Sequence, residues 1–434
     1  MPLLGRLLVV GGILAFAGCG SVHGTPAASD DAGTDSGGGG SACMSNDQCS
    51  APTPVCDPGN GCVECLQSDQ CSAAKPNCDT STHTCRECAA DADCDSDVCD
   101  LASGVCVAEA DVLYASPTGL DAGTCPKGSP CSIAQASAVA DQTRNNVKLA
   151  AGAYSAHIIL TNKTLVFFGV GATVNNQGTD AIFEVDDGAH LRIVGVSLTG
   201  ATGNSVIRCE GSASASHVLE IFGATIQNDN IVLLANPCTL TVDQSVIRNT
   251  AVDSFQVAIV GPSVATFDRT RFDGNGGGLA GLSNATIKIT NSELTNVGDP
   301  TQHGAFVGGN FDVSFSTIVG GVVECSTQGA VGLTLDSSIV VNTSAGAPAD
   351  TLIGIPSCTG VHNSIVFPNQ QPVGATNVMA DPHLKNIAAE DYHLLVTSPA
   401  LDHGDPASTN AVDFDGISRP QGAGPDSGAF EFKP

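Results

Sequence analysis

From residue 165 onward the chain repeats one short pattern: apolar, polar, apolar, a bend, a small residue, a variable residue, and another apolar one. LVFFGVGAT, LRIVGVSLTG, LEIFGATIQN, LTVDQSVIRN, ATFDRTRFDG, IKITNSELTN, FDVSFSTIVG, LTLDSSIVVN and TGVHNSIVFP all fit it. The central small or β-branched residues are Val170, Val196, Ala224, Ser245, Thr270, Ser292, Ser316, Ser338 and Ser364, at intervals of 26, 28, 21, 25, 22, 24, 22 and 26 residues. A motif recurring every 20 to 30 residues marks a solenoid. Alternation within each copy predicts two short strands separated by a two-residue bend, with the apolar set turned inward. A leucine-rich solenoid has a similar period, but its Leu-rich consensus and its Asn are missing. Strands that all run one way, stacked turn on turn, predict an all-β right-handed parallel β-helix, because parallel crossovers are overwhelmingly right-handed. Nine rungs at roughly 4.8 Å each make a rod on the order of 40 Å long.

The pattern also assigns the flanks. SIAQASAVADQ, residues 132 to 142, is an amphipathic helix with Ser132 as its cap, suited to plug the open first rung. Cys125 and Cys131 can close a small loop just before it, while Cys209 with Cys238 and Cys325 with Cys358 fall in successive rungs, spaced for a disulfide in each pair. Between Cys43 and Cys106 lie twelve cysteines in three copies of four, starting at Cys43, Cys65 and Cys88. So few apolar side chains accompany them that cross-links must hold this segment, and the pairing within a copy stays open. Zinc is the rival, because Cys62/Cys65 and Cys85/Cys88 have knuckle spacing. An exported chain and a single nearby imidazole, His83, favour disulfides. Within the third copy, DADCDSD places Asp91, Asp93, Asp95 and Asp97 at alternate positions, but without the Gly and Glu that complete a calcium loop, and it reads as a solvated acidic loop.

The start of the chain, MPLLGRLLVVGGILAFAGCGS, sets Arg6 before an apolar run too short to span a bilayer, the form of an export signal over residues 1 to 18. Phe16, Ala17 and Gly18 before Cys19 resemble a bacterial lipobox, which implies lipidation of Cys19 and attachment by a lipid anchor alone. Gly20 then favours the outer membrane or cell surface by the same analogy; the alternative is plain secretion. Residues 19 to 42 are Gly, Ser and Asp-rich and predict a flexible spacer. Residues 43 to 106 form the disulfide-rich repeats and residues 111 to 434 the β-helix with its caps.

Charge narrows the partners. With 44 acidic residues against 16 basic ones the field repels nucleic acid, and it disfavours polyuronates unless a cation such as Ca²⁺ intervenes. No Trp and only three Tyr leave few platforms for sugar stacking. The outward residues of successive first strands are Arg192, Glu220, Thr241, Thr266, Lys288, Asp312 and Thr334, with Arg271 and Glu293 on second strands. A lyase needs a base and a cation beside a substrate carboxylate, roles open to Lys288 or Arg271 with Asp312 or Glu293. A glycoside hydrolase needs two spaced carboxylates, for which Asp243 and Asp268 in neighbouring rungs are the candidates. A cluster against a concave wall favours an enzyme acting on extracellular polysaccharide. A flat, dispersed face favours a structural or binding module for a glycan or a surface protein, and ordinary solvated side chains are the bland reading of every one of these positions.

Gly200, Asn228, Asn249, Gly274, Asn296, Gly320 and Asn342 stand two positions after the last apolar residue of their repeats. Such residues tolerate a left-handed bend, and stacked Asn side chains form a hydrogen-bonded ladder. In this the chain from about Val112 resembles the pectate-lyase-like superfamily of parallel β-helices. The Cys-rich copies resemble repeats found behind the lipobox of myxobacterial surface lipoproteins. The end of the chain is similar to the C-terminal signature of bacterial surface β-helix proteins, matched at Asp402, Gly404, Asp405, Asp413, Asp415, Gly416, Arg419, Pro420, Asp426, Gly428, Ala429 and Glu431. That resemblance implies a cap on the last rung, with Arg419 paired to one of these carboxylates; Asp413 and Asp415 are also candidate calcium ligands. The resemblance does not extend to activity, because the Trp-containing signatures of pectate lyases and pectin methylesterases are missing and those of polygalacturonases occur only as fragments.

Overall fold

The computed structural model describes residues 43 to 434, apart from 177, 179, 201–204, 212–216, 229–232, 250–255, 275–277, 298–304, 322, 325–331, 344–350, 354–359 and 370–373. Alternation becomes structure as the repeats predict. Leu240, Val242, Ser245 and Ile247 of LTVDQSVIRN are all buried, and Thr241 is exposed. Strand after strand pairs in parallel, building an eleven-stranded sheet from first strands and a ten-stranded sheet from second strands. A third sheet of seven strands, from Ile158–Thr161 to Phe306–Val307, closes the coil. Ile158–Thr161 precedes the first aligned motif and the other six strands lie between motifs, and seven turns therefore carry all three sheets among the described residues. The protein is a parallel β-helix, and the crossover rule gives the coil its right hand. An extra turn, Asn146–Leu149 and Gly152–Ser155, precedes the nine repeats. One continuous apolar core runs through the coil. At its start lies the helix Ile133–Val139, where the Ser132 hydroxyl accepts the Gln135 amide at 3.1 Å and Ile133 and Ala136 are buried.

The bend between first and second strands differs from expectation in two ways. In the first repeat Ala172, fully buried, pairs with the rung of Val196, whereas Val170 is 57% exposed; the bend there is longer, and Val170 is not the central residue. The left-handed column also sits elsewhere. Gly195, Gly223, Gln244, Arg269, Asn291, Phe315, Ser337 and Asn363, each just before the central small residue, have φ of 69°, 60°, 48°, 44°, 49°, 46°, 50° and 48°. Of the column expected to bend, Gly200, Asn296 and Gly320 do so, but Asn228, Asn249 and Gly274 continue their strands in register. The side chains of Asn228 and Asn249 lie outside the described residues, and with them any amide ladder.

What joins the rungs at the bend is a hydroxyl ladder. Each Oγ donates to the carbonyl two residues back and accepts an amide from the preceding rung. Thr270 N–H donates to Ser292 at 3.1 Å, Ser292 to Ser316 at 3.2 Å, Ser316 to Ser338 at 3.2 Å and Ser338 to Ser364 at 3.1 Å. Ser292, Ser316, Ser338 and Ser364 are fully buried, so the hydroxyl supplies the partner that a core amide would otherwise lack. The Oδ1 of Asn377 ends the series by accepting from Ser364 N–H at 2.9 Å.

The third Cys-rich copy and the C-terminal segment are packed onto outer faces of the coil. Each Cys-rich copy joins its first cysteine to its third and its second to its fourth: Cys43–Cys56 and Cys49–Cys62, Cys65–Cys78 and Cys71–Cys85, Cys88–Cys99 and Cys94–Cys106. The third copy seats Val98 against Val112, Tyr114, Phe168 and Val194, which point outward from the eleven-stranded sheet. In the acidic loop Asp95 and Asp97 are exposed, but the loop and Asp100 just beyond it also anchor this copy to the coil. Asp100 binds Arg192 through two hydrogen bonds of 2.8 and 2.7 Å, Asp91 pairs with Lys148, and Asp97 with Lys127 at 2.8 Å. Burial pushes the Asp100 carboxyl up, but the Arg192 hydrogen bonds and charge outweigh it and hold it below the usual range.

The C-terminal segment does more than close the last rung. Val378 adds one parallel bridge beside Ile365, and the chain then folds back over the ten-stranded sheet. Ala400, Ala429, Phe430, Tyr392 and Leu394 bury the outward Val319, Ile339, Val341 and Ile365. Arg419 is held beneath by Glu431 at 2.8 Å and by the carbonyls of Asp426 and Gly428, with its guanidinium 4.8 Å from the centre of the Phe315 ring. Gly428, at φ 99°, lies so close to Ile339 that a Cβ there would collide with it.

Candidate functional site

The structure separates the lyase candidates. Lys288 and Asp312 stand opposite each other in the eleven-stranded sheet, both exposed and, among the described residues, not ion-paired. They belong to the column Arg192, Glu220, Thr241, Thr266, Lys288, Asp312, Thr334, which is in register throughout. Beyond Glu220 the column is exposed or partly exposed among the described residues, and the C-terminal segment reaches only its edge, where Asn410 bonds Asn291 beside Asp268. It is flanked by Thr239, Val264, Thr286 and Asn310 on one side and Asp243, Asp268, Thr290 and Ser314 on the other.

Arg271 and Glu293 lie in the ten-stranded sheet, under the hairpin of Leu384–Asn386 and Asp391–Leu394. Arg271 pairs with Glu390 and stands 3.8 Å from Glu293, whose side chain is almost wholly buried. Burial raises the Glu293 carboxyl to about 7, against the pull of Arg271 and His393. His393 bridges Asp391 at 2.6 Å and Asp415 at 2.8 Å and stacks on Phe430, with ring centres 4.1 Å apart. Burial pulls the imidazole down, but its hydrogen bonds to the two carboxylates win and its pKa is raised. Tyr392 meets Thr295 at 3.0 Å between hydroxyls. This is a charge network between two packed layers, with its perturbed acid shut away from solute.

Asp243 and Asp268 are direct neighbours on adjacent strands, about one strand spacing of 4.8 Å apart. Arg269 lies between them, 2.7 Å from Asp243 and 3.3 Å from Asp268, and Asn291 donates to Asp268 at 2.9 Å. Burial raises Asp243 and Arg269 opposes it. Arg248 belongs to a strand and pairs with Asp273 at 2.8 Å.

One cluster escapes an alignment of two strands per repeat because it sits on the third. Glu184, 6% exposed, accepts from Arg208 at 2.5 Å and meets His157 at 2.9 Å; Arg208 also reaches Glu210 at 3.4 Å. The signal was present as alternation in IFEVD and VIRCE, each lying between two aligned motifs.

At the C-terminal signature both oxygens of Asp413 are taken by backbone amides, those of Ile417 at 2.7 Å and Glu431 at 2.8 Å. Asp415 is exposed and bound to His393. The two carboxylates are engaged separately, as parts of the fold. Among the described residues the His, Cys, Asp and Glu groups close enough to share a metal ion are three cysteine triplets, all within disulfides. Cys125–Cys131 and Cys209–Cys238 are bonded, the second joining neighbouring turns. Cys19, Cys325 and Cys358 lie outside the described residues. Disulfides this numerous fit an exported protein. No described helix is long and apolar enough to cross a membrane.

Fold and covalent framework together define a parallel β-helix with a disulfide-rich N-terminal region. The chain is similar to the crystal structure of pectate lyase Pel9A, at 15% identity over 74% of this chain and 96% of that one, with a TM-score of 0.52, a likeness of fold alone. A carrot pectin methylesterase also aligns, at 10% identity over 48% of this chain and 83% of that one, but with a TM-score of 0.28. No family model and no curated protein sequence matches the chain.

Proposed function

We propose that this protein is a surface-displayed, non-catalytic module that binds a neutral polysaccharide along the uncovered face of its eleven-stranded sheet. The observation that carries this reading is the column of Thr241, Thr266, Lys288, Asp312 and Thr334, in register and exposed to partly exposed, while the described parts of the third Cys-rich copy and of the C-terminal segment bury other positions. Polar groups repeating at the rung spacing suit a chain of hydroxyl-bearing units, and the excess of 44 acidic over 16 basic residues favours an uncharged one. A lipid on Cys19 and the spacer to residue 42 would hold the coil off the outer membrane. Retention on a panel of insoluble neutral polysaccharides and polyuronates, with and without Ca²⁺, tests the reading. Lys288→Ala with Asp312→Ala should abolish retention on a neutral polymer, and unchanged retention refutes the assigned face.

A second reading, glycoside hydrolysis, is favoured by the one-strand separation of Asp243 and Asp268, near the roughly 5 Å that suits a retaining mechanism. Against it stands Arg269, which neutralises both. Release of reducing ends that disappears in Asp268→Asn would establish hydrolysis and displace the binding reading.

A further inference from the structure

We infer that a separate groove at the N-terminal end of the coil binds a single neutral sugar unit. It lies between the turn after the helix Ile133–Val139 and the bend joining strands Ile158–Thr161 and Thr164–Phe168, with a volume of about 430 Å³. That volume is of the order of small-ligand sites.

The walls carry the chemistry of polyol recognition. Gln142, Asn145 and Asn162 present side-chain amides, and Thr161 and Thr164 present hydroxyls. None of these five side chains makes a hydrogen bond within the described residues. Amides and hydroxyls both donate and accept, as sugar hydroxyls do, so each can meet a ring oxygen substituent in either sense. The charged groups at the groove are already committed. Lys163 donates to the carbonyls of Ser137 at 2.6 Å and Ala138 at 3.3 Å, and one oxygen of Asp141 accepts from Thr143 and Arg144. These bonds tie the groove to the end of the helix and fix both walls, Asn162 being held at φ 51°. A prearranged neutral wall selects an uncharged ligand and saves part of the ordering cost of binding. With no aromatic side chain in the lining, affinity rests on hydrogen bonds and stays weak.

The inference does not depend on the sheet-face reading, because the two sites share no residue. The test uses the full chain and saturation-transfer NMR with glucose, galactose, mannose and N-acetylglucosamine, each titrated to ~100 mM, well beyond a millimolar Kd. At least one should bind, and Gln142→Ala combined with Asn145→Ala should weaken it tenfold or more. Asn162→Gly, which keeps the left-handed bend, should weaken it too. Lys288→Ala with Asp312→Ala should leave it unchanged. Thermal melts of each variant matching the parent confirm that the fold is intact. Binding of none of the four sugars, or binding insensitive to the groove variants, or loss of binding on the Lys288 and Asp312 changes alone, overturns the inference.

Discussion

Glu293 gives the sharpest test of how the C-terminal segment is held. Its carboxyl rises from 4.5 to about 7 on burial beneath the hairpin of Asp391–Leu394. An acid whose pKa is raised in the folded state contributes stability fully present below the unfolded value and lost as pH climbs through the folded one. The window is therefore pH 4.5 to about 7, and the shift corresponds to a loss on the order of 3 kcal/mol across it. His393 acts in the same sense, since its raised pKa means that holding Asp391 and Asp415 stabilises the fold until the imidazole deprotonates. With Glu293 protonated and His393 charged, Arg271, Lys385 and His393 face Glu390, Asp391 and Asp415, three cations against three carboxylates. Raising the pH removes one proton from Glu293 and one from His393, leaving two more negative charges than the network can balance. Hydrogen exchange of residues 384–394, corrected for intrinsic rates and compared with core residues 240–242, reads local opening. In the parent, opening should become easier from pH 5 to pH 8 by one to two orders of magnitude; in Glu293→Gln most of that slope should vanish. Parallel pH profiles for the two proteins would refute the assignment of the effect to Glu293.

Other consequences follow from the same contacts. Ser292→Ala removes the acceptor of the Thr270 amide in the core and should cost about 1–3 kcal/mol, read as a lower urea midpoint; an unchanged midpoint would mean that the hydroxyl ladder is dispensable. Replacing Cys209 and Cys238 by Ser opens a loop of 29 residues and should cost about 3–4 kcal/mol by the chain-entropy estimate, measurable as a drop in melting temperature that reductant no longer deepens at that site. Asp100→Ala leaves Arg192 without its two-pronged partner and should speed protease cleavage between residues 106 and 112, while the β-helix itself stays resistant; equal cleavage rates would show the apolar contact of Val98 to be sufficient.

The solenoid was legible because period-2 alternation and a 20 to 30-residue repeat are carried by local residues alone. LTVDQSVIRN announces its strands, its bend and its inward side without reference to anything distant. The third sheet was less visible because IFEVD or GGLAG has no invariant neighbour to align on, and its position follows only from closing the coil. The bend column misled for a related reason. Gly and Asn mark positive φ when the residue is free to choose, but Gln244, Arg269, Phe315 and Ser337 are forced there by the strands on either side. The cost of about 1 kcal/mol for each such residue is offset by ladder bonds at every turn, which a propensity argument cannot see.

Failures of alternation carry the information that the repeats alone do not. Along the second strands the early rungs read buried at every other position, as in Ser197–Thr199, whereas Glu293–Thr295, Thr317–Val319 and Ile339–Val341 are buried at all three. An outward Val or Ile on a sheet facing water would waste its burial, so a run such as STIVG followed by SIVVN requires a covering layer, and residues 384 to 434 supply it. The same logic runs at the other end, where Phe168, Val194 and Phe222 point outward in one column and then give way to Asp243 and Asp268. The third Cys-rich copy covers that apolar stretch. The point at which the column turns polar marks where cover by the described residues stops, and it bounds the face assigned to the proposed ligand. Any ligand of the sheet face must then meet Thr241, Thr266, Lys288 and Asp312, and the candidate residues Arg271 and Glu293 are removed from it by the layer that makes them pair.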